Sequence, residues 1–176
     1  MKKLLVLSIT LFISLQLQAQ KFGYIDSQVI IEQLPEYKDA LGRLDKLTKE
    51  WSSEIEKMKK EITSLEQDYR NEELLLTIDM KEVRLEKIEE KKTELRKYQA
   101  DHFGYEGLLY VKRKEMIKPL QDKIAKAAET VARKNRLSFL FDKASDLTMI
   151  YSDPRHNYTD LVLEELELGD PADTPR

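Results

Sequence analysis

Apolar residues recur every three or four positions along two long stretches of the chain, on either side of a short break near Thr77. The first stretch carries Leu41, Leu44, Thr48, Trp51, Ile55, Met58, Ile62, Leu65 and Tyr69, and the second carries Ile88, Leu95, Tyr98, His102, Tyr105, Leu109 and Met116. Heptad spacing sustained over this length is typical of a coiled-coil seam. The pattern predicts a long antiparallel α-helical hairpin over residues 36–134, with its tip near residues 74–80.

Short apolar segments flank the predicted hairpin on both sides. Residues 21–26, 137–142 and 147–152 are rich in aromatic and aliphatic side chains and predict three strands. Three strands of about six residues form only a marginal sheet by themselves. We therefore expect residues 20–35 and 135–168 to form a small β-containing base that is stabilised by oligomerisation.

The predicted oligomerisation core consists of the apolar residues of these strands: Phe22, Tyr24, Ile25, Phe139, Leu140, Phe141, Met149, Ile150 and Tyr151. Two short helices accompany the strands. The first, ending at Gln33, is expected to turn Val29, Ile30 and Leu34 inward. The second is expected to begin with Thr159 as its cap. The predicted fold class is thus mainly α with a small β base, from which the coiled-coil hairpin projects.

Prolines mark two of the predicted helix boundaries. Pro35 lacks an amide hydrogen, so it should end the brief helix and start the first hairpin helix. Pro119 lies inside the return stretch, which we expect to run from Met80 to Lys134 with a kink at this proline.

Glycines lie at the middle of the return stretch. Folding the hairpin about residues 77–79 sets Trp51 near Gly104 or Tyr105, where a large ring would oppose a missing side chain. Because glycine weakens a helix by about 1 kcal/mol relative to alanine, Gly104 and Gly107 are also candidate points of flexibility.

The N-terminus has the pattern of an export signal. Lys2 and Lys3 precede an apolar run over residues 4–17, and Ala19 supplies the small residue that a signal peptidase requires. We expect a signal peptide over residues 1–19, cleaved after Ala19, and a periplasmic mature protein. The chain contains no cysteine, which excludes disulfides, thiolate metal sites and a lipid-modified cysteine. Residues 169–176 are expected to be a disordered tail.

The composition is that of a long charged helical protein. Charged residues make up 36% of the chain, with only five glycines and five prolines, and this balance disfavours an enzyme with a buried pocket. His102 and His156 have no suitably spaced partners for metal binding or acid–base catalysis. No glycine-rich phosphate loop is present. We therefore expect no enzymatic activity, no cofactor and no nucleic-acid partner.

Charge is distributed unevenly along the chain. Residues 112–143 include ten basic and four acidic side chains, whereas residues 70–86, around the predicted tip, include three basic and five acidic ones. The basic residues Lys112, Arg113, Lys114 and Lys118 form a candidate patch for phosphate groups of lipopolysaccharide or an anionic lipid, although a solvated helix face also explains them.

Apolar residues that do not fit the seam are candidates for contact with another protein. Successive helical residues point about 100° apart, so three adjacent leucines at the tip cannot all enter one seam. They are either exposed or close the tip of the coiled coil. Residues near the glycines could line a cavity or pack within the protein. The candidate residues for client contact are Leu74, Leu75, Leu76, Ile78, Met80, Phe103, Leu108 and Tyr110.

Several segments resemble the OmpH/Skp family of periplasmic chaperones. The likeness includes the strand–helix–proline opening over residues 22–37, and also residues 118–124, 140–142 and 149–153. The resemblance implies a jellyfish-like homotrimer, in which an intersubunit β-core carries three helical tentacles around a cavity. It also implies that the protein holds unfolded outer-membrane β-barrel proteins soluble without ATP. The tip in the best-known member is basic, whereas this tip is acidic. The alternative function is a structural coiled-coil scaffold or tether of the cell envelope.

Overall fold

The computed structural model describes residues 21–145 and 149–168. The predicted signal peptide, the predicted tail and the first two residues of the predicted third strand lie outside the described residues. In chain order the elements are β1 (Phe22–Ile25), α1 (Ser27–Gln33), α2 (Pro35–Glu72), a 3₁₀ turn (Glu73–Leu75), α3 (Ile78–Phe103), α4 (Leu108–Lys134), β2 (Phe139–Asp142), a second 3₁₀ turn (Pro154–His156) and α5 (Thr159–Glu165).

The described chain divides into two compact units. One contains residues 21–34 together with the described residues from 121 onward, and the other contains Pro35–Leu120. The C-terminal half of α4 therefore belongs to the same unit as the strands, whereas the sequence pattern had grouped residues 121–134 with the hairpin.

The hairpin is built from α2 and α3, which pack antiparallel. Leu44, Ile55 and Ile62 of α2 are buried, as is Ile88 of α3, which confirms the predicted seam over most of its length. Leu41 is an exception because it is exposed, while the neighbouring Ala40 is buried in its place. At 38 residues, α2 is about 57 Å long at 1.5 Å per residue.

Ion pairs join the two hairpin helices along the seam. Lys91 Nζ lies 3.2 Å from Glu61 and 3.1 Å from Glu94, and Lys92 Nζ lies 3.0 Å from Glu66. Hydrogen bonds to Glu94 and then Glu61 raise the pKa of Lys91 above its ordinary value. Two of these contacts, Lys91 with Glu61 and Lys92 with Glu66, link the two helices, whereas Glu94 lies on the same helix as Lys91.

The return stretch is interrupted at its glycines rather than at its proline. α3 ends at Phe103 and α4 begins at Leu108, so the prediction of one continuous helix is wrong. Glu106 has a φ of 55°, in the left-handed region, which no α-helix can contain. Pro119 lies within α4, which continues on both sides of it.

The sheet consists of two parallel strands from opposite ends of the chain. Phe22 pairs with Phe139 and Ile25 with Asp142. Residues 149–152 form no strand, so the predicted third strand is wrong for the described part of that segment. The free edge of β1 is instead occupied by the segment before α5, where the Tyr158 N–H donates to the Tyr24 carbonyl at 2.8 Å.

Side chains and main-chain groups also link the three segments of this unit. The Asp26 N–H donates to Thr159 Oγ1 at 3.0 Å, and the Ser27 N–H donates to Asp142 Oδ1 at 3.1 Å. The Thr159 hydroxyl donates in turn to Asn157 Oδ1 at 2.6 Å. Thr159 is therefore the first residue of α5 and a buried polar link, not the helix cap that the sequence predicted. The cap position falls on Tyr158, which makes no capping bond through its side chain.

The core of this unit forms beside the short helices. Ile30, Leu34 and Val162 are completely buried, and Ile31 is nearly so. Val29 is 43% exposed, so its predicted inward orientation is wrong. α1 begins after the cap Asp26, whose side chain accepts from the Val29 N–H. The buried face of α1 is centred on Ile30 and Ile31 and leaves Val29 outside it.

The neighbouring residues Ile30 and Val29 of α1 differ in burial, so alanine variants at the two positions form a matched pair. We expect Ile30→Ala to lower the free energy of unfolding by about 2–5 kcal/mol, because it leaves a cavity in a closed core. Val29→Ala should change it by about 0.5 kcal/mol or less, as is usual at exposed sites. Urea unfolding followed by circular dichroism, at one protein concentration for both variants, measures the difference. Equal losses for the two variants would contradict the described core.

Candidate functional site

The tip of the hairpin exposes large apolar side chains to solvent. Leu74 is 97% exposed, Leu75 84% and Ile78 83%, while Met80 is about half exposed and Leu76 is partly buried. We call Leu74, Leu75, Ile78 and Met80 the apolar tip. The sequence left open whether the leucines close the coiled coil, and the structure shows that Leu74 and Leu75 do not. Exposed apolar side chains that are clustered in this way mark interaction sites more often than isolated ones do.

Local backbone features hold the apolar tip outside the seam. α2 gives way to a 3₁₀ turn at Glu73, and the next helix starts only at Ile78. Thr77 caps α3 by accepting a hydrogen bond from the Met80 N–H at 3.4 Å. Leu74 and Leu75 lie in this 3₁₀ turn and are exposed, so neither packs into the seam.

Sequence reasoning missed two further exposed apolar residues near the tip. Val83 and Leu85 of α3 are both exposed, which extends the apolar surface of this end of the hairpin beyond the predicted residues. The sequence carried a signal for Val83, which does not fall on the line of Ile88 and Leu95 that forms the seam. Leu85 lies three positions before Ile88 and so falls on that line, yet it is exposed.

An aromatic cluster lies where the return stretch is interrupted. The Trp51 ring meets His102 edge-on at 4.8 Å between centroids, and His102 stacks on Tyr98 at 3.9 Å. His102 Nδ1 lies 2.8 Å from the Tyr98 carbonyl oxygen and donates to it. Trp51 therefore packs on a ring rather than on a glycine. Tyr105, predicted to lie in the seam, is 98% exposed.

The second predicted client cluster lies next to this aromatic group. Phe103 meets Trp51 edge-on at 6.0 Å between centroids and is still partly exposed. Leu108 and Tyr110, in the first turn of α4, are exposed as well. These three side chains are accessible, but they are more scattered than those of the apolar tip.

One face of the two-stranded sheet carries an aromatic surface. Phe22 stacks on Phe139 at 5.7 Å, and Phe139 stacks on Phe141 at 6.3 Å, yet all three rings are exposed. We call these three phenylalanines the sheet face. Ile25 is buried on the opposite side of β1, so it packs within its own chain, although the sequence placed it in the oligomerisation core. Leu140 is half-buried.

A groove of about 390 Å³ borders the sheet face. It is lined by Phe22, Gly23, Tyr24, Phe141, Met149, Tyr151, Ser152, Asp153 and His156. Ile150 is 97% exposed and Tyr151 is also largely exposed. Hydrogen bonds from the Arg155 side chain and backbone lower the pKa of Asp153 to about 2, so the carboxylate is held by its own turn. The groove is otherwise mainly apolar.

The four predicted phosphate-binding residues do not share one face of α4. Lys114 and Lys118 are four positions apart and lie on the same side, whereas Lys112 and Arg113 point in other directions. Lys112 also pairs with Glu115 at 2.8 Å. The described residues contain no cluster of side chains suited to a metal ion. In the same part of the chain, no helix is both long and apolar enough to span a membrane.

The profile of the family described as "Outer membrane protein (OmpH-like)" matches residues 21–166. The chain belongs to the OmpH-like family. The match includes both strands and every described helix, which confirms the resemblance seen in the sequence. No curated protein is significantly similar to the chain in sequence.

A solved structure supports the same fold. The crystal structure of a Caulobacter crescentus protein that is described as an outer membrane chaperone (OmpH-like) has a TM-score of 0.69 to this chain at 12% sequence identity. The alignment covers 89% of this chain and 91% of that chain. At this level of identity the likeness shows a shared fold alone. It confirms the predicted class of a long helical hairpin with a small sheet.

Alanine variants at two glycines test the interruption between α3 and α4. A Cβ on Gly104 would lie 2.4 Å from the Ala100 carbonyl oxygen, whereas a Cβ on Gly42, within α2, would meet nothing within 4 Å. We expect Gly104→Ala to lower the free energy of unfolding by about 1–3 kcal/mol, as overpacking does. Gly42→Ala should raise it by about 0.5–1 kcal/mol. Thermal and urea unfolding measure both, and stabilisation by Gly104→Ala would show that the return helix is continuous.

Proposed function

We propose that the chain is a periplasmic chaperone that holds unfolded outer-membrane β-barrel proteins soluble without ATP. Membership of the OmpH-like family and the fold shared with a protein described as an outer membrane chaperone support a general chaperone role. The observation that carries the proposal is the apolar tip, where Leu74, Leu75 and Ile78 are almost fully exposed. Side chains of this kind gain about 1.5–3 kcal/mol each when they are fully buried, which favours contact with an apolar partner.

The chemistry of the tip suits a partner without a fixed structure. Leu74 and Leu75 lie on a short 3₁₀ turn and are almost fully exposed, so the described residues do not enclose them in a shape that a partner would have to match. Met80 adds a flexible side chain that adapts to varied apolar surfaces. Each contact is weak and replaceable, so a bound client can leave when its final fold or membrane offers a better environment. No nucleotide is needed for such an exchange.

We further propose that the protein acts as a homotrimer assembled through the sheet face. Phe22, Phe139 and Phe141 would otherwise remain exposed, together with Ile150 and Tyr151. A two-stranded sheet is also too small to be stable without further cover. Association of three copies would bury these rings and bring three hairpins together around a cavity. The predicted signal peptide would direct this assembly to the periplasm.

An aggregation assay tests the holding activity. A β-barrel protein unfolded in urea is diluted into buffer with the chain at near-stoichiometric trimer, and light scattering is followed. We expect suppression by the unaltered chain. The variant Leu74→Ser/Leu75→Ser/Ile78→Ser should need about tenfold more protein for half suppression, equivalent to about 1.4 kcal/mol of lost contact.

A control variant separates the tip from general loss of apolar surface. Leu41→Ser/Val111→Ser removes two exposed apolar residues outside the tip and should leave suppression nearly unchanged, with folding checked by circular dichroism. If the unaltered chain fails to suppress aggregation, the holdase function is wrong and a structural tether is the better explanation. If the control variant loses as much activity as the tip variant, the tip has no special role.

The trimer has a separate test. Multi-angle light scattering should give a mass three times that of the mature chain, and Phe139→Asp should dissociate it because a carboxylate would be buried between aromatic rings. Phe103 is an exposed phenylalanine of the hairpin, and the control variant Phe103→Asp should keep the trimer mass. A monomeric unaltered chain, or an unchanged mass for Phe139→Asp, would contradict assembly through the sheet face.

A further inference from the structure

The apolar tip is surrounded by carboxylates that have no partners among the described side chains. Glu73, Asp79 and Glu82 are exposed and make no ion pair within the described chain. Glu72 differs, because Arg84 Nη2 lies 3.2 Å from its carboxylate. Between residues 71 and 83 the only basic side chain is Lys81. Three negative groups are thus available at the same end of the hairpin as the exposed leucines.

Helix geometry interleaves these carboxylates with the apolar residues. In α3, Ile78, Glu82 and Leu85 are spaced by four and then three positions, so they lie along one side of the helix. All three are exposed. On the other side of the turn, Glu73 directly precedes Leu74 and Leu75. A partner that covers the apolar side chains therefore also comes close to the carboxylates.

This arrangement favours one kind of partner over others. A segment with acidic groups beside its apolar residues would bring like charges together, which disfavours binding. A segment with Lys or Arg at those positions would form several ion pairs at the rim of the contact. Each exposed pair contributes little alone, but several pairs around one apolar contact bias the choice of partner. The surface of an anionic membrane would be repelled for the same reason.

We propose that the apolar tip selects extended apolar segments that are flanked by Lys or Arg. The inference rests on the proposed holding function and adds to it the chemical class of segment that the tip binds. The apolar side chains supply the attraction, and Glu73, Asp79 and Glu82 supply the discrimination. Arg84 remains engaged with Glu72, so it does not cancel the negative rim.

Peptide binding tests this selectivity directly. Three labelled peptides share one apolar sequence and differ only in their flanks, which carry two Lys, two Ser or two Glu residues at each end. Fluorescence anisotropy with the full-length mature chain should show the Lys-flanked peptide binding about tenfold tighter than the Glu-flanked one at low salt. The difference should shrink as salt is added, since exposed charges are screened.

Matched charge variants locate the discrimination. Glu73→Gln/Asp79→Asn/Glu82→Gln should reduce the preference to about twofold or less while binding of the Ser-flanked peptide stays within about twofold. Glu50→Gln/Glu90→Gln/Asp101→Asn changes the net charge equally at exposed sites outside the tip and should retain the preference. If the tip variant keeps the full preference, or if the control variant loses it, the assignment to the tip is overturned.

The outcomes separate this inference from the proposed function. If the chain suppresses aggregation of the β-barrel protein but binds the three peptides equally, the selectivity is wrong and the holding function stands. If it neither suppresses aggregation nor binds any peptide, both are wrong. Binding to vesicles that contain anionic lipid is measured in the same set of experiments. Sedimentation of the chain with them, lost in the Leu74→Ser/Leu75→Ser/Ile78→Ser variant, would show that the tip takes a membrane surface and would also overturn the inference.

Discussion

The parallel pairing of β1 with β2 is the constraint on which the rest of the structure depends. Parallel strands cannot be joined by a tight turn, so the chain between them must leave and return. Here that connection runs from Ile25 to Phe139 and contains the whole helical hairpin. The two ends are held in place by more than the strands, because Asp26 and Ser27 also bond to Thr159 and Asp142. The pairing therefore brings residues from both ends of the chain into one unit.

The hairpin itself is stabilised by a thin seam, and this explains why its apolar residues can serve two purposes. Only Ile55, Ile62 and a few others are buried between α2 and α3, while ion pairs such as Lys91 with Glu61 link the two helices at the surface. Two helices in contact cover one face each. Any apolar residue off that face remains exposed. A two-helix arm can therefore carry exposed apolar groups without loss of its own packing, which a single compact core could not do.

The sequence predicted regular features well and local irregularities poorly. The heptads placed α2 and α3 correctly because burial against one partner imposes a period, and Asp26 and Pro35 marked α1 by capping and by the missing amide hydrogen. The sequence marked Gly104 and Gly107 as candidate points of flexibility but predicted one continuous return helix with a kink at Pro119, whereas the structure interrupts that helix at residues 104–107. A proline in the middle of a helix is tolerated when its turn is otherwise supported, whereas two close glycines with Glu106 in a left-handed conformation end the helix. The third strand failed because the segment around Tyr158 occupies the edge of β1, a tertiary competition that no local pattern reveals.

At the tip, the sequence identified the residues but could not decide their exposure. Whether Leu74 and Leu75 fold back onto the seam depends on the backbone of a three-residue turn, and heptad spacing says nothing about it. Because Leu74 and Leu75 are exposed, the neighbouring carboxylates lie within reach of any partner that binds them. Glu73 and Glu82 would be ordinary solvated side chains beside a closed coiled coil. Beside exposed leucines they become part of any contact made there, because a partner cannot cover the apolar surface without approaching them. The negative charge of the tip therefore acts on any partner that binds the exposed leucines.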